Sequence, residues 1–125
     1  MSNGRNAELR RSLVDELNSR GVVPMAARRC WLMSRLLEYV QRCLGFLNLE
    51  NPVSMRAILN SDLWEMVVVA IDVINAEAPV GNLEPNIRNR WSLVCAHAER
   101  IEISEQYELL KDIDREVQAL CMALR

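Results

Sequence analysis

The chain has 125 residues, half of them hydrophobic but only 5% aromatic, and a formal net charge of −2, which suits one domain with a core of aliphatic side chains. The longest apolar run, MVVVAI, is too short to span a membrane, and the first residues lack the apolar centre of a signal peptide. We therefore expect no membrane association and an intracellular protein of the cytoplasm, with the nucleus left open.

The first predicted helix spans about 7–20. Asn6 can cap its N-terminus, and Gly21 follows its end. Leucines recur every four residues on one face, at Leu9, Leu13 and Leu17. The sequence GVVP then predicts a connector that ends at the first turn of the next helix.

The second predicted helix spans about 25–48 and is the most clearly amphipathic element. At 100° per residue, its apolar side chains fall in one arc. These are Leu32, Met33, Leu36, Leu37, Val40, Cys43, Leu44 and Leu47. We expect this arc to form a large part of the core.

Two helices are predicted between this element and residue 77. Asn51-Pro52 can cap and open a short helix, and Ser61-Asp62 can start the next one. The sequence DLWEMVVVAIDVINAE is apolar almost all round, which predicts a central buried helix. Its β-branched stretch 66–73 is also compatible with a buried strand, although the chain offers no second strand to pair with it.

The last two helices follow the loop APVGNLEP. After Pro85 an apolar face recurs with 4-3-4-3 spacing, and Ser104 can cap the final helix. The apolar residues of that helix form a narrow seam, at Leu110, Ile113, Val117, Leu120 and Leu124. Such a seam can pack inside a bundle or against a second copy of the chain, and we expect self-association through it.

These elements predict an all-α protein, a compact bundle of five to six helices that could form a homodimer through its long amphipathic helices. The domain organisation expected from the sequence is a disordered N-terminus at 1–5 and a single α-helical domain at 6–125. We find no internal repeat and no linker.

Charge is unevenly distributed along the chain. Residues 1–42 contain eight arginines and four acidic residues, whereas the remainder contains seven basic and thirteen acidic residues. Fourteen of the fifteen basic residues are arginine, whose guanidinium fork suits carboxylates and phosphates.

An arginine row runs along the second helix. It consists of Arg28, Arg35 and Arg42 at seven-residue spacing, with Trp31 and Tyr39 beside it. Such a row could follow an RNA backbone while the aromatic rings stack on bases, or it could contact an acidic protein surface.

The sequence favours a structural interpretation of the arginine row over either binding role. Its members border the apolar arc, where arginine stems often cover the edge of a core. Glu65 and Asp72 on the central helix have the same seven-residue spacing, so the two rows could pair inside the fold.

Residues that usually carry chemistry are sparse. Four cysteines form no CxxC pair, and His97, the only histidine, lies two residues after one of them and so on another side of a helix. The carboxylate pairs Glu65 with Asp72 and Glu99 with Glu102 are more simply solvated or ion-paired helix strips. We expect buried free thiols, no catalytic residue, no metal, no cofactor and no small-molecule substrate, and hence no enzyme.

The function favoured by the sequence is that of a non-enzymatic regulatory or adaptor protein, which acts through protein–protein contacts and self-association. The candidates for exposed contact residues are Trp31, Tyr39, Trp64 and Met122. The alternative is an RNA-binding protein that uses the arginine row with Trp31 and Tyr39.

Overall fold

The computed structural model describes residues 3–48 and 54–125, with side chains described in the first helix from residue 6 onward. This part of the chain contains no strand and six helices: α1 (Asn3–Ser19), α2 (Met25–Leu47), α3 (Met55–Leu59), α4 (Asp62–Glu77), α5 (Pro85–Ser104) and α6 (Tyr107–Ala123). The predicted all-α bundle is therefore confirmed, and the stretch 66–73 is helical. None of the described helices combines the length and the apolar character needed to cross a membrane.

Local sequence signals account for several helix ends. Ser61 accepts a hydrogen bond from the backbone N–H of Trp64 at the start of α4, and Pro85 occupies the first turn of α5, as predicted. Gly21 follows α1 with a φ of +68°, a left-handed conformation that costs glycine little.

Two predicted helix caps lie elsewhere in the structure, and a third falls outside the described residues. Asn6 lies inside α1 instead of capping it, because the helix begins at Asn3. Ser104 is the last residue of α5; the chain reverses at Glu105, whose φ is +54°, and Gln106 precedes α6. The predicted cap Asn51-Pro52 lies outside the described residues, and α3 begins after Ser54, whose side chain accepts from the Ala57 N–H.

Four of the helices form an antiparallel bundle. Arg28 near the start of α2 pairs with Glu77 at the end of α4, so these two helices run in opposite directions. Asn48 and Tyr107 are hydrogen-bonded where α2 ends and α6 begins, so these two are also antiparallel. In sequence order α2, α4, α5 and α6 thus alternate in direction around the core.

The first helix and the short third helix lie outside this four-helix arrangement. α1 packs against α4, and α3 packs where α2 and α4 are joined. The buried side chains of all six helices form one core. The predicted apolar arc of α2 supplies Leu32, Met33, Leu36, Val40 and Cys43 to it.

The four seams of the bundle, meaning the interfaces between neighbouring helices, are not packed equally. The α5–α6, α2–α4 and α2–α6 pairs make extensive contacts, whereas α4 and α5 approach each other only sparsely along their described lengths. The fourth seam of the bundle is therefore open, and this asymmetry creates the cleft described below.

The apolar seam of α6 lies inside the bundle. Leu110, Ile113, Val117 and Leu120 are fully buried against α2 and α5, and Leu124 is partly buried. Since these side chains already fill the core of one chain, the bundle as folded does not offer them to a second copy. The expected self-association through this seam is not tested by the structure of a single chain and stays a prediction.

Two of the expected contact aromatics also belong to the core. Tyr39 is 4% exposed and Trp64 is 1% exposed, so neither is available to a partner. Tyr39 lies at the edge of the α2 arc, where neighbouring helices cover it, and Trp64 is on the buried face of α4. Of the remaining two, Trp31 is partly buried and Met122 is exposed.

Candidate functional site

The arginine row of α2 is occupied by partners within the chain. Arg28 donates to the Val22 carbonyl at 2.8 Å and lies 3.7 Å from a Glu77 carboxylate oxygen. Arg42 pairs with Glu38, one turn earlier on α2, at 2.9 Å. Arg28 therefore connects α2 to its surroundings, whereas the Arg42 pair lies within α2 itself.

Arg35, in the middle of the row, is the member with two ion pairs. Its guanidinium forms ion pairs with Glu16 of α1 and Glu38 of α2. It also lies over the Trp31 ring, 5.0 Å from the centroid. Arg35 and Trp31 thus engage each other, and Tyr39 is buried beside them.

The predicted pairing of this row with Glu65 and Asp72 is wrong. α1 packs along α4 and takes up both acids: Asn6 donates to Glu65 at 3.1 Å, and Arg10 pairs with Asp72 at 3.3 Å. The arginine row and the acidic row have the same spacing. Spacing alone does not determine which helix covers the polar strip of α4, because that depends on tertiary packing.

The open seam between α4 and α5 forms a cleft of about 150 Å³, which we call the α4–α5 cleft. Residues of α4 line one wall and residues of α5 the other: Val68, Ile71, Asp72, Asn75, Cys95, Ala98, Glu99 and Glu102. The apolar members form the floor, and the carboxylates form the rim. A space of about this volume can accommodate a group the size of benzene.

A polar network crosses the cleft at one end. The Trp91 indole N–H donates to the Asn75 side-chain oxygen at 2.8 Å, and the Asn75 side chain also interacts with the Cys95 thiol. Burial, followed by the nearby Glu99 and Asp72, raises the pKa of Cys95 against the opposing effect of Asn75. The thiol is therefore protonated at neutral pH and is a weak nucleophile.

The rim of the cleft carries unbalanced negative charge. Asp72 is paired with Arg10, but the carboxylates of Glu99 and Glu102 form no ion pair within the described part of the chain. Arg56 pairs with Glu105 and donates to the backbone carbonyl of Glu102, not to its side chain. Glu99 thus faces the cleft without a basic partner in the described part of the chain, and Glu102 has only the longer-range attraction of Arg56.

Sequence reasoning identified Glu99 and Glu102 only as a helix strip and missed the cleft. A signal was present: Val68, Asp72 and Asn75 on α4 have the same 4-3 spacing as Cys95, Glu99 and Glu102 on α5. Each stripe lies directly beside the buried face of its helix. Two such stripes indicate a shared edge once the two helices are known to be neighbours.

A second apolar surface lies where α2, α3 and α4 meet. Phe46, 49% exposed, borders a groove of about 360 Å³ with Ala57, Ile58 and Leu63. An exposed phenylalanine at an apolar groove is a feature of protein contact surfaces.

The residues that the structure describes contain no group of three or more His, Cys, Asp or Glu side chains placed to hold a metal ion. All four cysteines are free, as predicted, but only Cys43 is buried as expected; Cys30, Cys95 and Cys121 are partly exposed. Comparison of the chain with protein-family models, with curated proteins and with solved structures gave no match.

Proposed function

We propose that the chain is a non-enzymatic adaptor or regulatory protein of the cytoplasm, which binds a segment of another protein in the α4–α5 cleft. The observation that carries the proposal is the open fourth seam. In a closed four-helix bundle the seams leave no space between their helices, whereas here the largely buried Ile71 and Ala98 and the partly buried Val68 border a space that a partner side chain can fill.

Other features agree with this function. The exposed Phe46 adds apolar contact surface at another point of the bundle. Free thiols suit a reducing compartment such as the cytoplasm. The internal ion pairs of Arg28, Arg35 and Arg42 leave fewer guanidinium groups for RNA phosphates.

Binding by wild-type protein and the Ala98→Leu variant tests the proposal. Leucine at this position fills part of the cleft and leaves the arginine row unchanged. The probes are two labelled amphipathic helical peptides of about 18 residues, about five turns, one basic and one acidic, and an RNA duplex. We expect wild-type protein to bind a peptide and Ala98→Leu to lose that binding.

The opposite result would favour the RNA alternative. If neither peptide binds, and the RNA duplex binds both proteins equally with an affinity that falls steeply with salt, the adaptor function is refuted. Circular dichroism melting curves of both proteins establish that the variant is folded. A high ratio of absorbance at 260 nm to that at 280 nm after purification would point in the same direction as RNA binding.

A further inference from the structure

We infer that the occupant of the α4–α5 cleft is a basic amphipathic helix of a partner protein, which places one apolar side chain in the cleft and lysine or arginine side chains against Glu99 and Glu102. This inference rests on the proposed function and specifies the chemistry of the partner. It follows from the shape of the cleft, from its charge and from the way α1 docks on the same helix.

The size of the cleft limits what can enter it. About 150 Å³ accommodates one aliphatic or aromatic side chain, with Val68, Ile71 and Ala98 as its apolar surroundings. A helix lying along the seam presents one such side chain and keeps its own backbone hydrogen bonds satisfied. An extended strand would find no sheet edge here, because the described part of the chain is helical.

The negative charge of the rim favours a partner with positive charge. Glu99 and Glu102 are one helical turn apart on α5, so their carboxylates are within reach of basic side chains spaced by three or four positions on a partner helix. An acidic or neutral helix would leave these carboxylates without compensation while it excluded water from them. Charge complementarity therefore favours a basic occupant.

α1 shows the same mode of docking within the chain. Its leucines Leu13 and Leu17 are buried in the core, and Arg10 on the same helix pairs with Asp72 on the rim of the cleft. The inferred partner repeats this combination of apolar contact and guanidinium–carboxylate pairing on the other side of α4, where α5 supplies the acids.

The test compares two variants with the same change in net charge. Glu99→Gln with Glu102→Gln removes the two rim carboxylates that form no ion pair among the described residues. The control, Glu8→Gln with Asp15→Asn, neutralises two exposed α1 carboxylates that form no ion pair in the described part of the chain. The probe is the basic amphipathic helical peptide, and its acidic counterpart is the specificity control.

We expect the rim variant to bind the basic peptide roughly tenfold more weakly than wild-type protein, since two partly exposed ion pairs are lost. The α1 control should bind within about twofold of wild-type protein. Raising the salt concentration from about 0.05 to 0.5 M should weaken binding to wild-type protein more than binding to the rim variant, because salt screens the ion pairs. Melting curves check that both variants are folded.

Failure of this inference and failure of the proposed function give different results. If the acidic peptide binds as tightly as the basic one, or the rim variant binds the basic peptide as tightly as wild-type protein, the basic occupant is refuted. Loss of binding in Ala98→Leu would then still support a protein-binding cleft. If no peptide binds wild-type protein, both are refuted.

Discussion

Arg35 provides the sharpest test of whether the arginine row is structural. Replacing it with glutamine removes two ion pairs, with Glu16 and Glu38, and a cation–π contact with Trp31. Its side chain is 25% exposed, so solvent screens these contacts only in part. The matched control is Arg42→Gln, whose side chain is 56% exposed and has one pair on the same helix.

The two substitutions should differ clearly in cost. Partly exposed ion pairs contribute about 0.2–1 kcal/mol each and the cation–π contact about 0.5–1 kcal/mol, so Arg35→Gln should lower the free energy of unfolding by about 2 kcal/mol. The single i,i+4 pair of Arg42 is worth about 0.3–0.5 kcal/mol. For a chain of this length, the melting temperature should fall by about 6–10 °C in the first variant and about 2 °C in the second.

Urea unfolding followed by circular dichroism measures both costs. A double-mutant cycle with Glu16→Gln isolates the Arg35–Glu16 pair, for which we expect a coupling of about 0.5–1 kcal/mol. If the two arginine variants lose the same stability within about 0.3 kcal/mol and the coupling is zero, the reasoning is refuted. The arginine row would then be free for another role.

Three further predictions concern the interior of the bundle. Burial raises the pKa of the Cys43 thiol from 9.0 to about 12, so the unfolded chain loses this proton first. Stability should fall between these pH values by at most about 1.4 kcal/mol per pH unit, and Cys43→Ala should show a shallower slope in urea titrations across this range. Asn75→Ala leaves the buried Trp91 indole N–H without its acceptor and should cost about 1–3 kcal/mol in the same assay. Ile113→Ala opens a cavity in the core and should cost about 2–5 kcal/mol, without changing the mass measured by light scattering; a reduced mass would instead indicate an interface between chains.

The amphipathic pattern predicted the parts of the fold that depend on one helix at a time. Leu32, Leu36 and Val40 are buried because a 3.6-residue period places them on one face of α2, whatever lies opposite. The apolar stripe of α6 was predictable from its period for the same reason. The period does not specify whether such a seam is covered by the same chain or by a second one.

Features that depend on which helices are neighbours were not predictable in this way. Arg35 pairs with Glu16 and not with Glu65, because α1 covers the polar strip of α4. Tyr39 is buried although it lies at the edge of the α2 arc, because a neighbouring element determines how far that edge is covered. The cleft required knowledge that α4 and α5 are adjacent but loosely packed.

The proposed function requires that a protein segment binds between α4 and α5. It is tested most directly by a titration of isotope-labelled protein with the basic peptide, followed by two-dimensional ¹H–¹⁵N NMR. We expect the largest shift changes to fall on cleft residues such as Val68, Asp72, Ala98 and Glu102, while the amides around Arg35 stay in place. Shift changes concentrated along the arginine row of α2, with the cleft unaffected, would contradict it.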